Sequence, residues 1–279
     1  MVGTDVLPAK RMERERIWIS GSRLHADHLA GWHRLDRWHA LFFITVSVVD
    51  VHRHFSYFYC FPSVPCTNGI HKEHDMKTST FINIHKVLVT PIVLAFMWHF
   101  NNWSVEAFTY LALHGTYTVL WIIKHYLFGD KRFDEKQPLW VGLIFIFLPL
   151  AGYYIAPYLL ISRHIELPPY MFGIILFVYI MGIFLHYVSD AQKYYTLQLQ
   201  KGLITEGLFS RTRNPNYLGE IMIYSAYAMM AMHWLPWVIL GGWVFGFFVR
   251  NMLAKDKSLS RYAEFKEYKT KSSLLLPKL

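Results

Sequence analysis

Long apolar runs separated by short polar connections fill the last two thirds of this chain. The clearest are Val87–Phe100, Val105–Ile123, Leu139–Ile161, Tyr170–Val188, Tyr217–Trp234 and Trp237–Ala254. Each approaches the roughly 20 residues that a helix needs to cross a bilayer; the first does so only if the approach from Ile82 to Lys86 joins it. The connections are brief (NNWS, SRHIELPP and the Leu235-Pro236 turn), as tight helix hairpins require. The pattern predicts an all-α, multi-pass transmembrane helical bundle with six spans. A seventh candidate, Ala40 to Phe61, opens as ALFFITVSVV and then runs into DVHRH. Asp50, Arg53, His52 and His54 inside a span would have to face a polar cavity, so this segment either crosses or lies in the interface.

Charge refines the picture. The formal net charge is +9, which taken alone would admit a nucleic-acid partner. Threaded alternately through six spans, however, Lys72, Lys77, Lys86, Lys124, Lys131, Arg132, Lys136, Lys193, Lys201, Arg211, Arg213 and the tail from Arg250 to Lys278 fall on one side. Only Arg163 among Lys and Arg falls on the other. Positive-inside topology accounts for that asymmetry and puts the C-terminus in the cytoplasm, which disfavours nucleic acid. The expected setting is the endoplasmic reticulum of a eukaryote or the inner membrane of a bacterium. Residues 1–38 read as a basic N-terminal arm and residues 39–279 as one membrane domain, whose C-terminal half, from about 185 to 279, carries most of the polar chemistry. A composition of 54% hydrophobic and 18% aromatic residues agrees with a membrane domain. Cys60 and Cys66 are too few for a disulfide framework. No cleaved signal peptide is expected from the first residues.

Polar groups crowd into SRTRNPNYLGEIMIY, Ser210 to Tyr224. Pro215 suits a helix's first turn, Asn214 suits an N-cap, and the free backbone N–H groups there attract anions. Arg211 and Arg213 add donors matched to phosphates. Glu220, one turn further in, needs a donor if it is buried. The plainer account is that Asn214 and Pro215 only cap the helix while the arginines set topology. Against it stand Asp190 and Lys193 in SDAQKYY, Arg250 near the end of the last span, and Lys255, Asp256, Arg261, Tyr262 and Tyr268 in the tail. A ligand with phosphates, an amide and sugar hydroxyls would satisfy such a set. In LALHGTYTVLWIIKH, His114, Tyr117, Trp121 and Lys124 share one helical stripe. Packing with a snorkelling lysine explains Trp121 and Lys124, whereas a mid-span phenol at Tyr117 requires a partner from protein or substrate.

The run KGLITEGLFSRTRNPNYLGE, the arginine-ended hairpin after it, RYAEFKEY and LLLP together resemble the C-terminal domain of the steroid 5-alpha-reductase family. HGTYTVLW with GDKRF is similar to a membrane branch of that family, and the likeness covers about Leu113 to Pro277. It implies about seven membrane helices enclosing NADPH, which would reduce an activated carbon-carbon double bond in a steroid or other lipid-like enone. By the resemblance, Asn216 and Glu220 match the cofactor-contacting Asn-x-x-Gly-Glu positions. Asp190 and Arg250 match an acid after the fifth span and an arginine ending the last, and Lys124, Lys193, Arg211, Arg213, Tyr217, Lys255 and Tyr262 complete the expected cofactor set. Tyr117 is the candidate to hydrogen-bond the substrate carbonyl. The family's glutamate on the second span has no match in FINIHKVLVTP, where His85 is the nearest substitute.

The partners expected are the bilayer and a lipid-like small molecule, with the chain acting as a monomer. No GxGxxG follows a strand, so a Rossmann site is not expected. The alternative is an S-adenosylmethionine-dependent methyltransferase of a lipid or prenylated substrate, whose relatives show Arg-His-Pro-x-Tyr; here Asn214 stands where they have histidine. A di-iron oxygenase is disfavoured because no adjacent histidine pair occurs among the 15 histidines. A non-enzymatic lipid binder also remains open.

Overall fold

The computed structural model describes residues 75–278. The expected seventh span and the basic arm lie outside those residues. Within them each of the six expected apolar runs forms a helix, the run from Tyr217 breaking after Met230 so that Trp234 belongs to the next: α1 Thr78–His99, α2 Val105–Phe128, α3 Leu139–Ser162, α4 Pro169–Leu199, α5 Pro215–Met230 and α6 Trp234–Leu259. A seventh helix, α7 Phe265–Lys271, lies in the tail. By length and composition, α1, α3, α4 and α6 can cross a membrane. At 16 residues, α5 extends about 24 Å at 1.5 Å per residue, short of a hydrocarbon core about 30 Å thick.

Local chemistry sets the boundaries. Ser104 caps α2, its hydroxyl accepting from the Ala107 N–H at 3.3 Å. Asn102 ties the preceding turn to the end of α3 by donating to the Ile161 carbonyl at 2.8 Å. Two features depart from the expected boundaries. The SDAQKYY segment is not a connection: α4 runs 31 residues through Asp190 and Lys193. Leu235 and Pro236 do not form the last turn either. The chain reverses just before them, Met232 takes a positive φ of 44°, and His233 caps α6 by accepting from the Leu235 N–H at 3.1 Å. Proline belongs in such a first turn because the N–H it lacks has no helical partner there.

A small antiparallel ribbon, β1 Asp75–Lys77 against β2 Lys136–Pro138, joins the starts of α1 and α3. With a single parallel bridge between Thr212 and Ser273, it is the only β-structure among the described residues. The closest helix contact is α4 against α5. A Cβ on Gly219 would lie 2.4 Å from the His186 N and 2.6 Å from the Gly182 O, so only glycine lets the two backbones approach this far. Outward faces are apolar, with Phe177 on α4, Leu148 on α3 and Phe245 on α6 more than half exposed. That is the surface a lipid environment accepts.

Candidate active site

Two of the six long helices contain a π-turn, Leu143–Phe147 in α3 and Val244–Phe248 in α6. Such turns cluster at functional sites, because the extra residue re-aims side chains while the helix continues. Here both turns border one cavity of about 550 Å³ including its open mouth, with Phe145 and Ile146 contributed by one and Phe247 and Phe248 by the other. Most of the wall is aliphatic or aromatic. Its polar groups are Lys86 from α1, Glu220 and Tyr224 from α5, with Trp121 of α2 and Tyr153 and Trp243 completing the aromatic side.

Lys86 is the unexpected member. The pattern of spans places it at the basic membrane face, yet α1 begins eight residues earlier, at Thr78, and Lys86 is 2% exposed inside the bundle. Its Nζ donates to the Tyr224 Oη at 2.8 Å. The same ammonium lies 3.9 Å above the centroid of the Tyr117 ring and 5.0 Å from that of Trp121. A desolvated cation over aromatic faces gains about 2 kcal/mol per good contact, which offsets part of the burial cost. Tyr224 is held in turn by stacking on Tyr153, with centroids 3.9 Å apart and planes 17° off parallel. Glu220 faces the same cluster, with Lys86, Lys124 and Asp190 as its charged neighbours.

A second polar chain runs from α2 to α5. Lys124 forms an ion pair with Asp190 and lies 3.2 Å from the His186 Nε2. The His186 Nδ1 lies 3.1 Å from the Asn216 carbonyl. One neutral tautomer satisfies both contacts, with Nδ1–H donated to Asn216 and Nε2 accepting from Lys124. The Asn216 Oδ1 is buried without a hydrogen bond among the described residues.

The motif loop has another task. Arg213 Nε donates to both carboxylate oxygens of Asp256 at 2.9 and 3.1 Å, and its Nη1 donates to the Ser272 carbonyl at 2.6 Å. Asn214 occupies the N-cap position but makes no side-chain cap bond. Its Nδ2 donates to the Leu274 carbonyl at 2.8 Å, and its Oδ1 accepts from Lys255 at 3.1 Å. Tyr268 of α7 donates to the Phe209 carbonyl at 2.7 Å, and burial pushes its phenol up to about 12. These bonds fasten the tail from Ser272 to Leu274 across the loop that leads into α5.

The expected site residues therefore separate. Glu220 stands on the cavity wall, and Lys124, Asp190 and Asn216 form the chain beside it. Tyr117 is wholly buried and absent from the wall; its ring is the platform for Lys86. His85 is likewise off the wall, stacked on Tyr154 at 4.8 Å. Lys193 pairs with Asp130 at 2.8 Å, Arg213 holds the tail, Lys255 donates to the Arg213 carbonyl and to Asn214, and Tyr217 packs its ring 4.9 Å from that of Phe248. Arg211 and Arg250 are exposed, and Tyr262 accepts from exposed Arg261 at 3.3 Å. Lys86, His186 and Tyr224 are the site residues that the sequence reading passes over. Tyr224 had a signal: Asn216, Glu220 and Tyr224 recur every four residues and so share one face of α5. Among the described residues no cluster of three or more His, Cys, Asp or Glu could hold a metal.

Residues 130–272 match a family described as "Protein of unknown function (DUF1295)". An uncharacterized protein of the fission yeast Schizosaccharomyces pombe is 38% identical over 65 residues, which is 23% of this chain and 22% of the yeast protein. The similarity thus spans under a quarter of that relative.

Proposed function

Since the chain belongs to the DUF1295 family, whose description leaves its activity open, we propose from the cavity's own chemistry that it is a membrane-embedded, NADPH-dependent reductase of an activated carbon-carbon double bond in a lipid-like enone. The observation that carries this reading is one polar cluster, buried Lys86 and Tyr224 with half-buried Glu220, at the wall of an otherwise apolar cavity bordered by five helices. Such a cavity suits a greasy molecule with a single oxygen function. The sequence likeness to the steroid 5-alpha-reductase family supports the same chemistry.

The residues present fit the proposed cofactor. The unpartnered Asn216 Oδ1 and the Glu220 carboxylate, one turn apart on α5, offer acceptors for a carboxamide N–H. Exposed Arg211 and Arg250 would serve its phosphates. When bound, NADPH supplies a hydride to the β-carbon of the enone. The chain's own residues must hold the carbonyl, keep water out and steady the negative charge that develops on oxygen. Donors already fixed in a low-dielectric site lower such a barrier by about 3 kcal/mol each. Bulky aromatic walls, Phe247, Phe248, Trp243 and Trp121, limit water at the reacting atoms.

The test is oxidation of NADPH, followed by its absorbance, on adding a lipid-like enone to purified protein in nanodiscs. Turnover absent without enone and present with it supports the reading. Methyl transfer from S-adenosylmethionine without NADPH oxidation would replace it with the methyltransferase reading.

A further inference from the structure

Resting on that reading, we infer that Tyr224, held by Lys86, is the proton donor to the substrate oxygen, and that the cavity takes neutral conjugated aldehydes or ketones in preference to unsaturated carboxylic acids. The direction of the hydrogen bond carries the first part. Lys86 has only donors, so the Tyr224 Oη must be the acceptor in their 2.8 Å bond. The phenolic proton is then left to point elsewhere, and Tyr224 lines the cavity. Stacking on Tyr153 fixes the ring, and Tyr153 lies nearly parallel to Trp243, with planes 15° apart. Tyr117, the donor that the family resemblance implies, is not on the wall and instead supports the ammonium through its ring face.

The chemistry balances within the reading. Hydride addition at the β-carbon moves the π electrons toward the carbonyl oxygen. Tyr224 transfers its phenolic proton there, giving an enol, and the resulting phenolate oxygen is stabilised by the Lys86 N–H already directed at it. Tautomerisation gives the saturated carbonyl, and a solvent proton restores the phenol. The second part follows from Glu220. Its carboxylate shares the wall with Tyr224, one helical turn away, so an ionised acid would bring two anions into one low-dielectric cavity. A neutral carbonyl meets the phenol and the ammonium without that repulsion.

Three variants test this: Tyr224→Phe, which keeps the ring and its stacking, Lys86→Met, and Tyr158→Phe, a half-exposed tyrosine of α3 that does not line the cavity, as the comparison. Two readouts are used, enone-dependent turnover and binding of 2-naphthol, a fluorescent phenol that mimics an enol. Tyr224→Phe is expected to lower kcat about 100-fold with KM nearly unchanged, in the range of a lost general acid. Tyr224→Phe and Lys86→Met should each weaken 2-naphthol about tenfold, while Tyr158→Phe leaves both readouts within about threefold. An unsaturated ketone should be turned over at least about tenfold faster than the matching acid. Full turnover by Tyr224→Phe with an active wild type would overturn the donor assignment and leave the reductase standing. Wild-type protein that oxidises no NADPH with any enone, yet binds 2-naphthol in a Tyr224-dependent way, would overturn the reductase reading while keeping the oxygen site. Equal 2-naphthol binding by all four proteins would remove the site itself.

Discussion

A buried ion pair separates stability from ligand binding at the level of single residues. Lys124 and Asp190 keep only 10% and 16% of their side-chain surface exposed, so losing one partner strands the other in a poorly solvated place. Asp190→Asn is expected to destabilise the protein by about 3 kcal/mol, the usual cost of orphaning a buried charge, and the double variant with Lys124→Met should recover most of that. Denaturant or thermal melts of the cycle check this. If Asp190→Asn melts normally but binds NADPH weakly, the carboxylate serves the ligand and not the pair. Asp190 and Lys124 were both legible in the sequence as polar groups near one membrane face. Their mutual bond was not, because helix spacing relates residues within one helix and these lie on α2 and α4. Lys86 was hidden for a different reason: a lysine flanking an apolar run reads as an interfacial residue unless the start of the helix is known.

Among elements, the packing of α4 on α5 decides where Asn216 and Glu220 stand relative to His186. Gly219→Ala places a methyl carbon against backbone atoms of α4 at 2.4 and 2.6 Å, which a rotamer change cannot relieve. Helix separation follows, with an expected loss of about 1 to 3 kcal/mol and weaker NADPH binding, both visible in melts with and without ligand. The glycine stood out in the Asn-x-x-Gly-Glu string, but only the second helix explains why no side chain fits. The tail helix α7 provides a pH-dependent counterpart. The Tyr268 phenol keeps its proton in the fold to about pH 12, against 10.0 for a free phenol. Its contribution is therefore whole below about pH 10 and is lost as the pH rises toward 12. The gap in melting temperature between wild type and Tyr268→Phe should narrow over that interval. Polar residues of SRTRN looked like ligand donors because arginine and asparagine suit phosphates. The tail that satisfies Arg213 and Asn214 lies about sixty positions away, and nothing in the local pattern announces it.

At the scale of the molecule, the apolar periodicity fixed six helices because each must bury or expose a full face to lipid. The cavity was not legible, since it arises where two π-turns on separate helices meet residues of α1, α2 and α5. A pocket assembled from five helices has a consequence for ligand linkage: whatever binds there couples to the stability of the whole bundle. At a concentration 100 times its Kd, a ligand bound only to the folded state adds about 2.7 kcal/mol. NADPH is expected to raise the melting temperature of the protein in nanodiscs by a few degrees, and S-adenosylmethionine to leave it unchanged. Asn216→Ala should abolish most of that rise while retaining the unliganded melting temperature within a degree or two, because Asn216 Oδ1 has no partner to lose among the described residues; Glu220→Gln should abolish it too, but with a lower unliganded melting temperature, because it removes the carboxylate beside buried Lys86. A rise that persists in both variants would place the nucleotide away from α5, and a rise produced by S-adenosylmethionine alone would make the bundle a methyltransferase.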